Sequence, residues 1–204
     1  MKGLFITFEG GEGVGKTTQM KKCTSLLEKE GRDVLMTREP GGTEIGEEIR
    51  KILLNSAYHT LLQSKTELLL YLAARAQHYY EKIEPALKKG KIVLCDRFMD
   101  ATAAYQGYAR QLGLDFTEEM NRWVLNGAAP HCTFFLYTDI RSGLDRESAQ
   151  NRLSMESEDF HACVLQGYFE LARRHPERIM PLDIRGKGID EVNAMIMTQL
   201  RRFL

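Results

Sequence analysis

The stretch "EGGEGVGKTT", residues 9–18, decides the fold class of this chain of 204 residues. From Gly10 to Thr17 it matches the pattern G-x-x-x-x-G-K-[ST], which joins a strand to a helix and cradles a phosphate chain. The preceding run "LFITF", residues 4–8, is β-branched and aromatic, as a buried strand should be, and "QMKKCTSLLEKE", residues 19–30, begins a helical apolar stripe. Both flanks therefore favour a strand, a phosphate-binding loop and a helix.

The chemistry of a phosphate explains the composition of this loop. Glycine leaves backbone N–H groups free to turn inwards, and the following helix presents the positive end of its dipole to an anion. We expect the Lys16 ammonium to reach the terminal phosphates and the Thr17 hydroxyl to ligate Mg²⁺. The alternative is a glycine-rich turn with an exposed lysine. The predicted phosphate-binding set is Gly10, Gly11, Glu12, Gly13, Val14, Gly15, Lys16, Thr17 and Thr18.

Length and charge indicate one α/β domain, residues 1–204, that recognises phosphate locally. A chain of 204 residues lies near the upper range for one domain and permits a well-buried core. Lysine plus arginine equals aspartate plus glutamate at 28 each, so no general positive field is present to hold a nucleic acid polymer.

Cysteine usage and apolar runs point to the compartment. The four cysteines form no C-x-x-C pair, and the five histidines show no zinc-site spacing beside them, which favours a reducing cytoplasm. The N-terminus lacks a signal-peptide pattern, and no apolar run reaches membrane-spanning length. We expect a cytoplasmic protein with no membrane partner.

Short apolar runs alternate along the chain with longer helical patterns. The strand candidates are "LFITF", "DVLMT", "KIVLCD", "TFFLYT" and "RIMPLD". The helical patterns lie near residues 16–30, 45–55, 66–89, 102–112, 117–126, 139–174 with a break, and 190–203. This alternation predicts a parallel sheet covered by helices on both faces, with ligands gathered beyond the carboxyl ends of the strands.

Local signals predict where some helices begin and end. The stretch "SKTE" matches a capping box, in which Ser64 and Glu67 satisfy free N–H groups at a helix start. Gly90 should end the long helix that follows, and Thr117 should cap the helix of "EEMNRWVLNG".

Asp96 and Arg97 follow the third strand candidate directly. An acidic residue that ends a strand beside a phosphate loop is placed to support Mg²⁺, and a guanidinium suits bidentate contact with phosphate. The alternative is a surface ion pair, worth about 0–1 kcal/mol. Because a phosphate loop is present, the sequence favours the functional interpretation.

Three further segments carry candidate residues. The arginine of "REPGGT", residues 38–43, lies in a tight turn that forms either the wall of an anion pocket or an ordinary loop. Tyr71 and Arg75 share a helix face, and a buried arginine there needs a partner. The polar stretch "RSGLDRESAQNR", residues 141–152, offers arginines that could move in to offset charge on a transferring phosphoryl group.

Four segments stand in order at fitting intervals: "GGEGVGKTT", "TREPGGT", "LLLYLAARAQH" and "DRFMDATAAYQGYAR". With "GYFELARRHPERI" near the end, they resemble the bacterial thymidylate kinases over nearly the whole chain. The resemblance implies a P-loop NTPase-type three-layer α/β fold with a five-stranded parallel sheet flanked by helices. It also implies a homodimer that transfers the γ-phosphoryl group of ATP to dTMP with Mg²⁺.

The resemblance assigns residues to the thymine base of dTMP. Tyr71 matches the aromatic position that stacks on thymine, and Arg75 matches the arginine that contacts the base. Thr102 and Gln106 fall on positions near the base.

Other residues are assigned to the sugar and the phosphate of dTMP. Arg97 matches the arginine that holds the phosphate, and Arg38 and Pro40 lie in the acceptor-side loop. Tyr105 matches the ring against the deoxyribose, and Glu12 matches the acid near the 3′-hydroxyl.

The lid, near residues 141–155, departs from the family pattern. Family members with no basic residue between the loop acid and its lysine usually carry a catalytic arginine in the lid, and this chain has none between them. The lid is shorter than usual, and the common "DRIE" appears as "NRLS" at residues 151–154. The resemblance leaves Arg146 and Arg152 as the candidates.

Other functions compete with a dTMP kinase. A kinase for another nucleotide or a nucleoside would use the same loop, and so would a nucleotide-dependent switch, although the guanine-reading N-K-x-D of G domains is absent. The altered lid also suggests a catalytically impaired homologue.

Overall fold

The computed structural model describes residues 3–146 and 151–204. Within them, five strands form one sheet in which every pairing is parallel. The strands are β1 (Leu4–Gly10), β2 (Val34–Arg38), β3 (Ile92–Asp96), β4 (Cys132–Tyr137) and β5 (Ile179–Asp183). Their order across the sheet is β2-β3-β1-β4-β5. The predicted strands and the parallel sheet are confirmed.

The α-helices of the described residues are α1 (Lys16–Lys29), α2 (Glu44–Leu54), α3 (Ser64–His78), α4 (Glu84–Lys88), α5 (Met99–Thr102), α6 (Leu114–Val124), α7 (Ile140–Leu144), α8 (Glu158–Arg174) and α9 (Ile189–Leu200). Two π-helical segments, Tyr79–Ile83 and Ala103–Ala109, continue α3 and α5. Short 3₁₀ turns lie at Ser56–Tyr58 and Arg201–Phe203. None of these helices combines the length and apolarity needed to cross a lipid bilayer.

The sheet is buried on both faces, as a parallel sheet between helices should be. Phe5 and Ile6 are neighbours in β1 and point to opposite faces, and both are buried. Ile6 lies in the apolar cluster that includes Met20 of α1 and Ile196 of α9. Phe5 lies in a second cluster with Leu72 of α3. The layers of helices therefore hold β1, and the loop after it, in a fixed position.

The register of the strands brings their carboxyl ends to one edge of the sheet. Asp96, the last residue of β3, lies beside Phe8 of β1 and Arg38 of β2. Gly10 lies beside Leu136 of β4, and a Cβ on Gly10 would stand 2.1 Å from the Leu136 carbonyl oxygen. A glycine is therefore required where the loop leaves the sheet.

The predicted capping box at the start of α3 is wrong. Helix α3 begins at Ser64, its N-cap residue is Gln63, and no side chain caps it. The Glu67 side chain is fully buried and has tertiary partners instead. The stop at Gly90 is consistent with the structure, because this glycine has φ 78° between α4 and β3.

The predicted cap at Thr117 is also wrong. Helix α6 begins at Leu114, three positions earlier in the chain, and its N-cap residue is Gly113 with φ 97°. The Thr117 hydroxyl donates to the carbonyl oxygens of Gly113 and Leu114, each at 2.9 Å. The glycine makes the sharp turn, so the threonine lies inside the helix.

Candidate functional site

The phosphate loop connects β1 to α1 and has the backbone shape that its glycines permit. Gly13 and Gly15 have φ of 63° and 82°, in the left-handed region. A Cβ on Gly13 would lie 1.9 Å from the Gly143 carbonyl oxygen. The loop opens into a cleft of about 1360 Å³. Its backbone can therefore approach an anion closely at the N-terminus of α1.

Lys16 is folded along the inside of the loop. Its ammonium donates to the carbonyl oxygens of Gly11 at 2.6 Å and Gly10 at 3.3 Å. Burial, and then the nearby guanidinium of Arg97, lower the pKa of Lys16. Carbonyl acceptors thus hold the ammonium at the point where phosphates would enter.

Thr17 and Asp96 present two oxygen atoms to the same point. The Thr17 hydroxyl donates to a carboxylate oxygen of Asp96 at 2.5 Å. Mg²⁺ in phosphotransfer sites takes one or two protein oxygens, and the rest of its octahedron comes from water and substrate phosphates. The described residues contain no cluster of three or more His, Cys, Asp or Glu that could hold a metal. This pair fits a magnesium ion carried with a nucleotide.

Arg97 lies between the phosphate loop and an aromatic wall. Its guanidinium donates to Glu12 and to the Gly10 carbonyl oxygen, both at 2.8 Å, and stands 5.3 Å from the centre of the Tyr105 ring. Its backbone has φ 62°, a strained value for a residue with a side chain. Burial alone would raise the pKa of Glu12, but Arg97 and Lys16 lower it to about 2. Glu12 is therefore ionised beside two cations.

Glu9 is a buried acid to which the sequence assigned no role. Its carboxyl group accepts hydrogen bonds from the Phe98 backbone N–H at 2.7 Å and from the Tyr168 hydroxyl at 2.8 Å. Burial, and then the carboxylate of Asp100, raise the pKa of Glu9 to about 8. Glu9 thus ties the turn after β3 to the end of β1. Glu9 could have been found in the sequence as a charged residue near the end of an apolar strand.

A pocket of about 300 Å³ lies beside Arg97 and brings together most of the predicted acceptor residues. The predicted residues that line it are Pro40, Tyr71, Arg75, Arg97, Thr102, Tyr105 and Gln106. Ala101, where the family commonly has serine, also lines it, as do Glu39, Phe98 and Leu153, which no sequence motif marks. Glu12 and Arg38 line the adjoining cleft of about 760 Å³, together with Lys16, Thr17 and Asp96. The pocket and the phosphate loop therefore open into one space.

Arg75 is buried and fully engaged by the protein. It donates from Nε to Glu39 at 2.9 Å and from Nη1 to Thr102 at 2.9 Å and Asn121 at 2.6 Å. Its Nη2 donates to the Phe98 carbonyl oxygen at 2.9 Å and lies 2.8 Å from the Glu39 carboxylate, so all five N–H groups have partners. These contacts supply the partners that a buried guanidinium needs. A hydrogen bond from Arg75 to a ligand has to replace one of them.

Arg50 is a further cation that the sequence did not indicate. It lies on α2, donates to the Pro40 carbonyl oxygen at 2.7 Å, and lines the same cleft as Asp96. Burial, and then the charge of Arg38, lower the pKa of Arg50. Arg38 itself donates to both carboxylate oxygens of Glu47 at 2.9 Å. No motif marks Arg50, because only the packing of α2 brings it to the cleft.

The structure separates the two candidate lid arginines. Arg146 is exposed and lines the open cleft beside the phosphate loop. Arg152 is fully buried, donates from Nε to the Leu53 carbonyl oxygen at 2.8 Å, and forms an ion pair with Glu67. Residues 147–150, which join them, lie outside the described residues. The structure thus brings Arg146, and not Arg152, to the phosphate loop.

The far wall of the open cleft comes from the segment after β5. The residues that line it there are Ile184, Lys187, Gly188, Ile189 and Val192. No motif in the sequence marks these residues. Their position just beyond the carboxyl end of a parallel strand was the signal that could have found them.

The chain is similar to known thymidylate kinases in sequence and in structure. The sequence model of the thymidylate kinase family matches residues 8–196. A thymidylate kinase of Geobacillus sp. (strain WCH70) is 50% identical over 200 residues, covering 96% of this chain and 94% of that protein. A thymidylate kinase of Oceanobacillus iheyensis is 44% identical over 209 residues, covering 100% and 92%. The crystal structure of thymidylate kinase from Ehrlichia chaffeensis matches with a TM-score of 0.81 at 32% identity, covering 98% of this chain and 100% of that one.

Proposed function

This chain belongs to the thymidylate kinase family, and from that premise we propose how its residues share the work of the reaction. It is an ATP-dependent dTMP kinase, which transfers the γ-phosphoryl group of ATP to dTMP and yields dTDP. We propose that ATP lies on the phosphate loop and dTMP in the pocket of about 300 Å³. This placement is supported by one observation: the pocket and the adjoining cleft share Pro40, Tyr71 and Arg97 as lining residues.

On the donor side, the loop N–H groups and Lys16 hold the phosphates of ATP. The ammonium of Lys16 exchanges its loop carbonyl partners for phosphate oxygens. Thr17 and Asp96 would hold Mg²⁺, which would neutralise part of the charge on the phosphates of ATP. The segment after β5 borders the same cleft and contacts the nucleoside end of ATP.

On the acceptor side, Tyr71 stacks on thymine and Arg97 binds the dTMP phosphate. The ionised carboxylate of Glu12 already holds the Arg97 guanidinium at 2.8 Å, so this cation needs little reorganisation when the phosphate arrives. Glu12 also accepts from the Tyr105 hydroxyl at 3.3 Å, and this pair binds the deoxyribose. Arg38, Pro40, Arg75, Thr102 and Gln106 complete the acceptor site.

The chemical step is an in-line transfer with no covalent intermediate. In such a step the protein positions the two nucleotides and offsets the charge that develops on the transferring group. Lys16 contacts that group from the ATP side and Arg97 from the dTMP side. Arg146 adds a third positive charge from the lid. Arg146 suits this role because it is exposed at the mouth of the cleft.

We also propose that the whole chain, 1–204, works as one domain within a homodimer in the cytoplasm. Leu69 of α3 and Phe116 and Trp123 of α6 are 60%, 52% and 76% exposed, which leaves large apolar side chains for a second copy to cover. All four cysteines are free thiols, which suits a reducing compartment. Sedimentation of wild type and Trp123→Ser tests the dimer, and a monomeric wild type would contradict it. Fractionation of cells tests the cytoplasmic location.

The assignment is tested by ADP release from ATP and Mg²⁺ with dTMP, dUMP, dCMP, dGMP, AMP and thymidine offered separately. We expect a strong preference for dTMP, nearly abolished in Lys16→Ala while the fold survives. Lys21→Ala, an exposed lysine on the same helix, should keep wild-type turnover. Undiminished turnover in Lys16→Ala would overturn the role of the phosphate loop, and preference for another acceptor would overturn the placement of dTMP.

A further inference from the structure

We infer that Glu67 is a positioning residue for base recognition, because it fixes the side-chain amide of Gln106 with its carbonyl oxygen towards the acceptor pocket. The inference rests on the proposed placement of the dTMP base in that pocket. It extends the proposed function by naming the residue, outside the pocket wall, that sets the hydrogen-bonding polarity of the wall.

The surroundings of Glu67 hold its carboxylate in place. Oε1 of Glu67 accepts from Nε2 of Gln106 at 2.7 Å, and Oε2 forms the ion pair with buried Arg152. The Arg110 guanidinium lies 3.5 Å from both oxygens. Both oxygens of Glu67 therefore face N–H donors and act as hydrogen-bond acceptors.

This fixed polarity determines which way the Gln106 amide faces. A glutamine side chain has a donor end and an acceptor end, and only the donor end can face a carboxylate. Glu67 therefore accepts a hydrogen bond from the amide nitrogen of Gln106, and the carbonyl oxygen stays available for another partner. The hydrogen bond from the Gln106 side chain to Glu67 uses Nε2 and not Oε1, and Gln106 lines the pocket. The pocket thus receives an acceptor at this position.

Arg75 leaves the hydroxyl proton of Thr102 available to another partner. A guanidinium can only donate, and Nη1 of Arg75 donates to the Thr102 hydroxyl oxygen at 2.9 Å. The hydroxyl proton of Thr102 must then point away from Arg75. Thr102 and Gln106 lie one helical turn apart and line the same pocket. Beside the Gln106 acceptor, the Thr102 hydroxyl can therefore donate to a ligand in the pocket.

This pair matches thymine and uracil and mismatches cytosine. Thymine and uracil present the N3–H donor beside the O4 acceptor, whereas cytosine presents the N3 acceptor beside the 4-amino donor. A mismatched base leaves buried polar groups of the site unpaired, which is the strong form of discrimination. The pair is indifferent to the 5-methyl group, so it separates dTMP from dCMP and does not separate dTMP from dUMP.

The test compares kcat/KM for dTMP, dUMP and dCMP in wild type, Glu67→Gln, Gln106→Leu and the double variant. A glutamine at position 67 can donate or accept, so the Gln106 amide is free to face either way. We expect Glu67→Gln to lower the dTMP:dCMP ratio about tenfold and to leave the dTMP:dUMP ratio unchanged. The double variant should have the same dTMP:dCMP ratio as Gln106→Leu alone, because Glu67 acts through Gln106.

Two further variants keep this test decisive. Glu67→Gln removes the carboxylate partner of buried Arg152. The double variant Glu67→Gln/Arg152→Gln, which removes both charges, is therefore measured if the single variant does not fold. Glu119→Gln, an exposed acid on α6, is the matched control and should keep both ratios. Thermal melting confirms that each variant is folded.

Two outcomes would overturn the inference. A folded Glu67→Gln enzyme with an unchanged dTMP:dCMP ratio would show that Gln106 keeps its orientation without Glu67. A parallel fall of both ratios would show a general loosening of the pocket, which is a purely structural role. If wild type itself does not prefer dTMP to dCMP, the proposed acceptor pocket has failed first, and the inference fails with it.

Discussion

The Thr17 hydroxyl lies 2.5 Å from a carboxylate oxygen of Asp96, although 79 positions separate the two residues in the chain. Thr17 lies in the first turn of α1, which follows β1, and Asp96 ends β3, which pairs with β1 in parallel. The parallel sheet therefore brings the Thr17 hydroxyl and the Asp96 carboxylate together beside the loop that binds phosphates. This pair has the oxygen chemistry that Mg²⁺ prefers.

Replacing Asp96 by asparagine should raise the Mg²⁺ concentration needed for half-maximal rate and lower activity about 10- to 100-fold. The amide keeps the shape of the side chain but removes the negative charge that attracts the cation. ADP release at a series of Mg²⁺ concentrations measures both effects. Asp33→Asn is the control, because Asp33 is a surface carboxylate paired with Lys91 at 3.0 Å. An unaltered Mg²⁺ dependence in Asp96→Asn would remove Asp96 from the metal site.

Replacing Arg97 by glutamine should weaken the use of dTMP far more than the use of ATP. Hydrogen bonds to charged groups contribute about 1.5–3 kcal/mol, so kcat/KM for dTMP should fall roughly 10- to 150-fold. Steady-state kinetics with each substrate varied in turn separate the two effects. Arg173→Gln, on the surface beside Glu170, should behave as wild type. Equal losses for both substrates would argue against a contact specific to the acceptor phosphate.

Arg146→Ala and Arg152→Ala should fail in different ways. Loss of Arg146 should lower kcat on the order of 10³-fold with little change in stability, because a catalytic arginine in phosphoryl transfer is worth at least that much. Loss of Arg152 leaves the Glu67 carboxylate buried without its main partner and should cost about 3–5 kcal/mol of unfolding free energy.

Single-turnover kinetics and urea unfolding of both variants measure these effects. Arg141→Ala is the control, because this exposed lid arginine pairs with Glu158 away from the cleft. If Arg152→Ala lost kcat at full stability while Arg146→Ala remained active, the two assignments would have to be exchanged.

The phosphate loop could be predicted because its information is local. The glycine spacing, the strand before it and the helix after it all lie within residues 4–30, and a phosphate imposes the same requirement wherever it binds. Asp96 and Arg97 followed from a general rule about strand ends. The acceptor pocket needed a resemblance as well, because Tyr71 and Thr102 come from different helices whose packing no local pattern records.

Glu67 shows why the remaining contacts could not be predicted. Its spacing from Ser64 fits a capping box, yet the fold offers its carboxylate Arg152 and Gln106 as partners, and these buried contacts prevail over the local motif. The hydroxyl of Thr117 was likewise assigned to a cap that Gly113 made unnecessary. In the same way, a polar lid sequence does not distinguish an exposed arginine from one that packing buries.

Glu9 makes the stability of the protein depend on pH. Its pKa is raised from 4.5 to about 8 in the folded state, first by burial and then by Asp100. Between these values the unfolded chain releases this proton while the folded protein retains it. The unfolded state then binds fewer protons, so this group lowers the unfolding free energy as pH rises, by at most ~1.4 kcal/mol per pH unit.

Glu9→Gln removes this titration while keeping a neutral side chain that can accept from the Phe98 N–H. The unfolding free energy of the variant minus that of wild type should therefore increase from pH 5 to pH 8 and level off above pH 8. Urea denaturation of both proteins at several pH values measures this difference, and Glu28→Gln, an exposed residue of α1, should show none. A constant difference for Glu9→Gln would mean that Glu9 is already ionised in the folded protein, and the turn carrying Asp96 and Arg97 would then be held by a charged group instead of a neutral one.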